Sequence, residues 1–168
     1  MKSMTADNLK AAFAGESQAY MKYMIFADKA EKDGKPNIAK MFRAIAFAER
    51  VHATNHFRVL GQINDTGDNL VQAKGGEDYE VDEMYPAFKV VAEYQGEKAA
   101  VRSMEFAMEA EKIHSAMYGD AKAVVDRGND IEPVRYLVCE VCGWTGEGDA
   151  PDNCPICNAP REKIRSFD

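Results

Sequence analysis

The sequence predicts an all-α four-helix bundle followed by a small β/loop domain stapled together by a metal. Three observations lead there. Residues 1 to 128 read as helix nearly throughout, interrupted at Gly34-Lys35-Pro36, near Gly61 and at Gly96. The helical stretch contains an internal repeat, each half carrying one glutamate and one Glu-x-x-His pair. All four cysteines lie between residues 139 and 157, in two Cys-x-x-Cys pairs.

The first helix is expected to be capped by Asp7 or Thr5 and to run to Asp33, where Gly34-Lys35-Pro36 supplies a stop and a new start. The second carries Ile38, Met41, Phe42, Ile45, Ala48, Glu49, His52 and Val59 along one face and stops at Gly61. A loop through Asn64-Asp65-Thr66-Gly67 leads to a third helix capped by Asp68, with weakening or a kink expected at Gly75-Gly76 and Pro86. A fourth helix follows Gly96 and ends near Gly128. Four helices with short connections suggest a bundle over residues 1–128. Residues 129–133 read as a linker and 134–168 as a second domain, rich in Gly, Pro and Cys. A piece that short rarely holds together by apolar burial alone.

Composition narrows the function. The 168 residues are 46% hydrophobic and 29% charged, as in an ordinary folded domain. A net charge of -7 argues against nucleic acid or an anionic membrane as partner, since both need a basic face. The N-terminal residues lack the apolar core of a secretory signal, and no stretch approaches the roughly 18 apolar residues of a membrane span. A cytoplasmic protein is the expectation, and there paired cysteines read as a metal site before they read as disulfides.

The repeat aligns Gly15-Glu16 with Gly76-Glu77 at an offset of 61, and Ala48-Glu49-Arg50-Val51-His52 with Ala110-Glu111-Lys112-Ile113-His114 at an offset of 62. Residues three apart share a helix face, so Glu49 with His52 and Glu111 with His114 each aim a carboxylate and an imidazole one way. Both pairs continue apolar stripes, which turns them inward, and Glu16 lies between Phe13 and Tyr20 on the first helix. Four clustered carboxylates resist ionisation at a cost of several kcal/mol each, and two divalent cations remove that cost. One Glu from each of two helices plus Glu-x-x-His from each of the others is the inward set of ferritin-like di-iron and di-manganese bundles. Carboxylate with imidazole suits iron or manganese. His56 has Tyr118 as its repeat counterpart and is read as a packing or ligand-supporting residue. Glu80, whose counterpart is Ala19, is either a surface acid or a fifth carboxylate at the site.

Cys139-Glu140-Val141-Cys142-Gly143 and Cys154-Pro155-Ile156-Cys157, with eleven residues between Cys142 and Cys154, place four thiolates around one tetrahedral ion, either zinc or iron. Gly143 fits the turn after the first pair, and Asn158 tolerates the same left-handed turn after the second. Tyr136, Trp144 and Phe167 are expected to form an aromatic core beside the metal.

Over essentially its whole length the chain resembles the rubrerythrin family, a ferritin-like di-iron bundle fused to a rubredoxin-like domain. The residues carrying the resemblance are Ala14-Gly15-Glu16-Ser17-Gln18-Ala19-Tyr20, Ala48-Glu49-Arg50-Val51-His52, Gly76-Glu77-Asp78-Tyr79-Glu80, Met84-Tyr85-Pro86 and the paired cysteines; Asn158 departs from the usual glycine. The resemblance implies di-iron ligands Glu16, Glu49, His52, Glu77, Glu80, Glu111 and His114, with Glu49 and Glu111 bridging. It further implies that Tyr23 and Tyr85 hydrogen-bond those ligands, and that Glu80 and His52 exchange as ligands when the iron changes oxidation state. Cys139, Cys142, Cys154 and Cys157 would hold one mononuclear iron. The implied activity is reduction of hydrogen peroxide to water, with electrons passed through the cysteine iron from a rubredoxin or an NAD(P)H-dependent reductase, in a homodimer. Two other readings compete with it. A ferritin-like iron oxidase or store needs no dedicated electron inlet, and a non-enzymatic bundle with a structural zinc ribbon lacks the red colour of ferric tetrathiolate.

Overall fold

The computed structural model describes residues 1–168, which fold as two compact units, Met1–Asn64 and Asp65–Asp168. The first is a helical hairpin of α1 (Ser3–Lys32) and α2 (Pro36–Val59). Helix α1 starts ahead of both expected caps, behind Lys2, with no capping side chain. Nothing in Ser3-Met4-Thr5 breaks a helix, and once nucleated a helix extends at little cost. At the hairpin turn Gly34 takes φ +68°, which a Cβ would oppose. The Gly34 N–H then reaches Glu31 O at 3.0 Å and the Lys35 N–H reaches Ala30 O at 2.8 Å, closing the end of α1. Pro36 opens α2, where its missing N–H costs nothing.

Alanines form the hairpin seam. Ala39, Ala46 and Ala53, seven apart on α2, are buried, as are Ala27 and Ala30 on α1. Ala27, Ala30 and Ala39 form one cluster with Phe42 against it, and the Phe13 and Phe57 rings pack with centroids 5.0 Å apart. The apolar face expected on α2 is buried only in part: Phe42 is half-buried, while Ile38, Met41, Ile45 and Val59 stay exposed. Two helices cover only the seam between them, and this seam uses the smallest apolar side chains.

The second unit begins with α3 (Thr66–Tyr79), capped by Asp65, whose carboxylate accepts the Asp68 N–H at 2.9 Å. The expected cap, Asp68, lies inside the first turn, where its charge favours the helix N-terminus. Gly75 and Gly76 do not interrupt α3. Each costs about 1 kcal/mol relative to alanine, and packing against α5 (Lys98–Val125) offsets it. The irregularity falls just before Pro86 instead. Residues Glu80–Met84 form a π-turn, with the Tyr85 N–H bonded to Glu80 O, before α4 (Tyr85–Gln95) resumes. Pro86 has no N–H for the Asp82 carbonyl and its ring presses on that oxygen; widening the turn by one residue relieves both problems. The predicted third helix is therefore the run α3–π-turn–α4. A salt bridge from Lys89 to Glu105, 2.9 Å, ties α4 to α5.

After α5 the chain forms a three-stranded antiparallel sheet in the order β2 (Thr145–Glu147), β1 (Tyr136–Cys139), β3 (Ile164–Phe167). Its centre is Leu137 with the cysteines; Trp144 packs on the cysteine cluster, as does Phe106 from α5. Phe167, expected in an aromatic core, lies 50% exposed under the Arg165 guanidinium. It falls on the outward position of an edge strand. No helix of the protein is long and apolar enough to cross a membrane.

Gly146 is sterically required. A Cβ there would sit 2.5 Å from the Trp144 ring. Gly146→Ala is expected to displace the indole from the cysteine cluster and destabilise this domain by about 1–3 kcal/mol. The measurement is the rate at which a chelator strips its metal, which should rise well above that of the parent.

Candidate metal centres

The cysteine site is built from two matching knuckles. After Cys139 the chain turns back so that the Gly143 N–H bonds Cys139 O at 2.9 Å; after Cys154 the Asn158 N–H does the same to Cys154 O, also at 2.9 Å. Both turns need a left-handed residue, supplied by Gly143 at φ +82° and by Asn158 at φ +59°. The four Sγ atoms converge, with Cys139–Cys157 at 3.6 Å and Cys142–Cys154 at 3.4 Å. Thiolates around one ion at the usual metal–sulfur length of about 2.3 Å lie roughly 3.8 Å apart. The spacing therefore fits a tetrahedral metal and is too long for any disulfide. The site is also prepared for charge. Burial raises the Cys154 thiol, but the backbone N–H groups of Cys157 and Ile156 outweigh that and bring it down to about 7. Burial pushes Cys142 and Cys157 up, so their deprotonation calls for a cation.

The helical residues converge as two sets. In the first unit Glu16, Glu49 and His52 present ligand atoms within 4.8 Å of one another. His52 Nδ1 lies 3.0 Å from Glu49 Oε2 and 3.9 Å from Glu16 Oε1. In the second unit Glu77, Glu111 and His114 converge to the same tolerance, with His114 Nδ1 2.5 Å from Glu111 Oε2. Donors around one ion at about 2.1 Å lie at most about 4.2 Å apart, so each set is close to a binding arrangement. The electrostatics of the second set also favour a cation. Burial, then the charge and hydrogen bond of Glu111, with a further push from Glu80, raise Glu77 to about 7 despite the opposing pull of His114. A carboxyl that resists ionisation beside another carboxylate is what a divalent ion relieves. Glu80, at the start of the π-turn, stands outside the three-atom cluster yet within its field: burial and Glu111 raise its pKa, and His114 opposes them.

The tyrosines stand beside the sets without a hydrogen bond to any ligand. Tyr23 packs with Phe26 and Phe42 at centroid distances of 6.4 and 6.2 Å. Tyr85 is raised by burial and then by Glu80, Glu111 and Glu77, so its phenol stays protonated. His56 is half-buried and belongs to neither set.

Sequence reasoning missed two groups around the second set. Lys74 Nζ bonds both Asp78 oxygens, at 2.9 and 2.7 Å, and Ser115 Oγ at 3.1 Å, while the Ser115 hydroxyl donates to Asp78. This tie links α3 to α5 at the residues directly following Glu77 and His114. Thr145 of β2 lies 2.8 Å from His114 Nε2. Pairing across elements leaves no mark in a periodic pattern; the only sequence signal for the tie was Lys74–Asp78 at i,i+4.

Comparison with known proteins agrees with both modules. The family model described as Rubrerythrin matches residues 7–122, and the model described as Rubrerythrin, rubredoxin-like domain matches residues 138–165. Rubrerythrin-2 of Clostridium acetobutylicum is 39% identical, over 98% of this chain and 97% of its own. Nigerythrin of Nitratidesulfovibrio vulgaris is 32% identical, over 97% of this chain and 86% of its own. A solved nigerythrin structure, described as fully reduced and all ferrous, matches with a TM-score of 0.58 at 31% identity, covering 99% of this chain and 88% of that one. The fold class is accordingly the expected one, a ferritin-like helical bundle with a small rubredoxin-like domain. With 39% identity to one relative along nearly all of both chains, and with donors for a di-iron centre and a four-cysteine iron site in place, this chain belongs to the rubrerythrin family.

Proposed function

We propose that the protein reduces hydrogen peroxide to water, consuming two electrons and two protons per peroxide, and so serves in oxidative-stress defence. The observation that carries this reading is the seating of the four-cysteine domain on α5, the helix that bears Glu111 and His114. Such an arrangement suits an electron inlet, and iron storage has no use for one. In this reading residues 1–128 work as the di-iron bundle, 129–133 as a linker and 134–168 as the inlet domain.

The di-iron centre would be held by Glu16, Glu49, His52, Glu77, Glu80, Glu111 and His114, with Glu49 and Glu111 the carboxylates placed to serve both ions, and the inlet iron would be held by Cys139, Cys142, Cys154 and Cys157. Bound iron supplies the electrons and a Lewis-acid seat for peroxide oxygen. The chain's own residues do the rest. Carboxylates would offset the metal charge, and Tyr85, held protonated, keeps a hydroxyl hydrogen to donate to peroxide. Glu80 and His52 would be the exchangeable ligands, an anion suiting an oxidised metal and a neutral ring a reduced one. Electrons come from a rubredoxin or an NAD(P)H-linked reductase, the working form is a homodimer, and four cysteines kept out of disulfides suit a cytoplasmic, reducing setting.

Removing residues 134–168 tests the inlet. The truncated protein is expected to remain helical and to be oxidised once by peroxide after chemical reduction, but to turn over poorly with an NAD(P)H-linked donor. Steady-state turnover equal to that of the full chain would overturn the assignment.

A further inference from the structure

We propose that Thr145 is the positioning residue for His114: its hydroxyl takes the Nε2 hydrogen of the ring and so presents Nδ1, unprotonated, to the metal. The proposal rests on the reading of His114 as a ligand. Thr145 is no part of the helical repeat or of the cysteine motif, and it reaches the site from the other module.

The contact follows from how α5 seats the cysteine domain. Phe106, Ala110 and His114 are four apart and share one face of α5. Phe106 packs on the cysteine cluster, and Ala110 is 2% exposed. A Cβ added to Gly143 would lie 3.9 Å from the Ala110 Cβ. A small residue on the helix facing a glycine in the knuckle allows this close approach, which brings the start of β2 level with the next turn of α5. There Thr145 Oγ1 lies 2.8 Å from His114 Nε2 and 3.2 Å from Gly143 O.

Hydrogen-bond accounting settles the direction. A threonine hydroxyl has one hydrogen. The Gly143 carbonyl can only accept, so that hydrogen is committed to it and the Thr145 oxygen is left as an acceptor. The arrangement that satisfies both contacts is the one in which Thr145 donates to Gly143 O and His114 Nε2 donates to Thr145 Oγ1. With the proton at Nε2, the lone pair of the neutral ring is at Nδ1, 2.5 Å from Glu111 Oε2; a carboxylate oxygen only accepts, so this pairing of two lone pairs is favourable when both ligate one cation, and without a cation Nδ1 would carry the hydrogen instead. Ligating histidines depend on such a partner behind the ring, and losing it typically costs about 10–100-fold in metal affinity. The two histidines thereby differ. His114 is held by a hydroxyl fixed to the backbone next to Cys142, whereas His52 is engaged only through Nδ1.

The test uses the full-length chain loaded with zinc, which is diamagnetic, in the parent and in Thr145→Val and Thr145→Ser. Nitrogen-15 NMR of the histidine rings reports the tautomer, and competition with a chelator reports affinity at the helical site. The parent and the serine variant are expected to show His114 protonated at Nε2 and shifted at Nδ1 by zinc. The valine variant is expected to lose that slowly exchanging Nε2 hydrogen and about 10–100-fold in zinc affinity, with the His52 resonances and the four-cysteine site unchanged. If valine is too bulky for β2, Thr145→Ala removes the same hydroxyl and is held to the same outcome. A valine or alanine variant matching the parent in tautomer and affinity overturns the role of Thr145. A parent His114 ring that zinc does not shift overturns instead the ligand reading on which it rests.

Discussion

Glu111→Ala and Glu49→Ala are each expected to strip iron from the helical site while leaving the red four-cysteine site filled. Both carboxylates are largely shielded, with side chains 17% exposed, and each lies within 3.0 Å of the Nδ1 of its paired histidine. Each is also read as a bridge, so its loss removes one anion from two cations at once. Breaking a shielded pair of this kind costs about 3–5 kcal/mol, which is more than 100-fold in affinity. Glu93→Ala is the matched control. Glu93 lies on α4, is 52% exposed and bonds only Lys89, at 3.8 Å. Iron per chain, measured after ferrous loading and dialysis against a weak chelator, should fall to the four-cysteine iron alone in both test variants and stay at the parent value in Glu93→Ala. Equal iron in all three would show that the ligand acids had been misassigned.

The second large effect is expected at Cys154. Leu137 is the one large aliphatic side chain fully buried in the C-terminal domain, and the other buried positions there are Cys139, Cys142 and Cys154. A domain with so little apolar core is held mainly by its metal, a contribution of about 10–16 kcal/mol at structural tetrahedral sites. Cys154→Ala removes the best-prepared thiolate and leaves three ligands. Residues 134–168 should then become sensitive to protease, the red absorbance should vanish, and donor-linked peroxide turnover should drop to near background. Helical circular dichroism should fall little, since α1–α5 lie outside the lost domain. A protease-resistant C-terminal domain in this variant would mean that packing, not metal, holds it.

Features set by periodicity or spacing were legible in the sequence. The Glu and Glu-x-x-His repeat located every member of both helical donor sets, because a helix turns a three-residue spacing into a shared direction. The cysteine pairs and the left-handed turn at Asn158 followed from local geometry alone. Pro86 was read as a disturbance, and one occurs there, but a pattern in sequence cannot distinguish a kink from the π-turn that accommodates it. Gly75-Gly76 misled because an intrinsic penalty of about 1 kcal/mol per glycine is smaller than the packing that overrides it. The alanine seam of α1 and α2 was hidden by the larger apolar residues beside it, which dominate any hydrophobic stripe yet remain exposed. Thr145 and the Lys74–Asp78–Ser115 tie were out of reach, since they depend on which residues of different elements meet.

The most direct test of peroxide reduction through two connected iron sites is a rapid-mixing experiment. The fully reduced full-length protein is mixed anaerobically with one equivalent of hydrogen peroxide, while red absorbance and dissolved oxygen are followed together. The account predicts prompt loss of peroxide with no oxygen released, then a slower rise of red colour as the cysteine iron gives up its electron, a rise that disappears in the Glu111→Ala protein. Oxygen evolution, or a cysteine site that reddens equally fast without the helical iron, would contradict it.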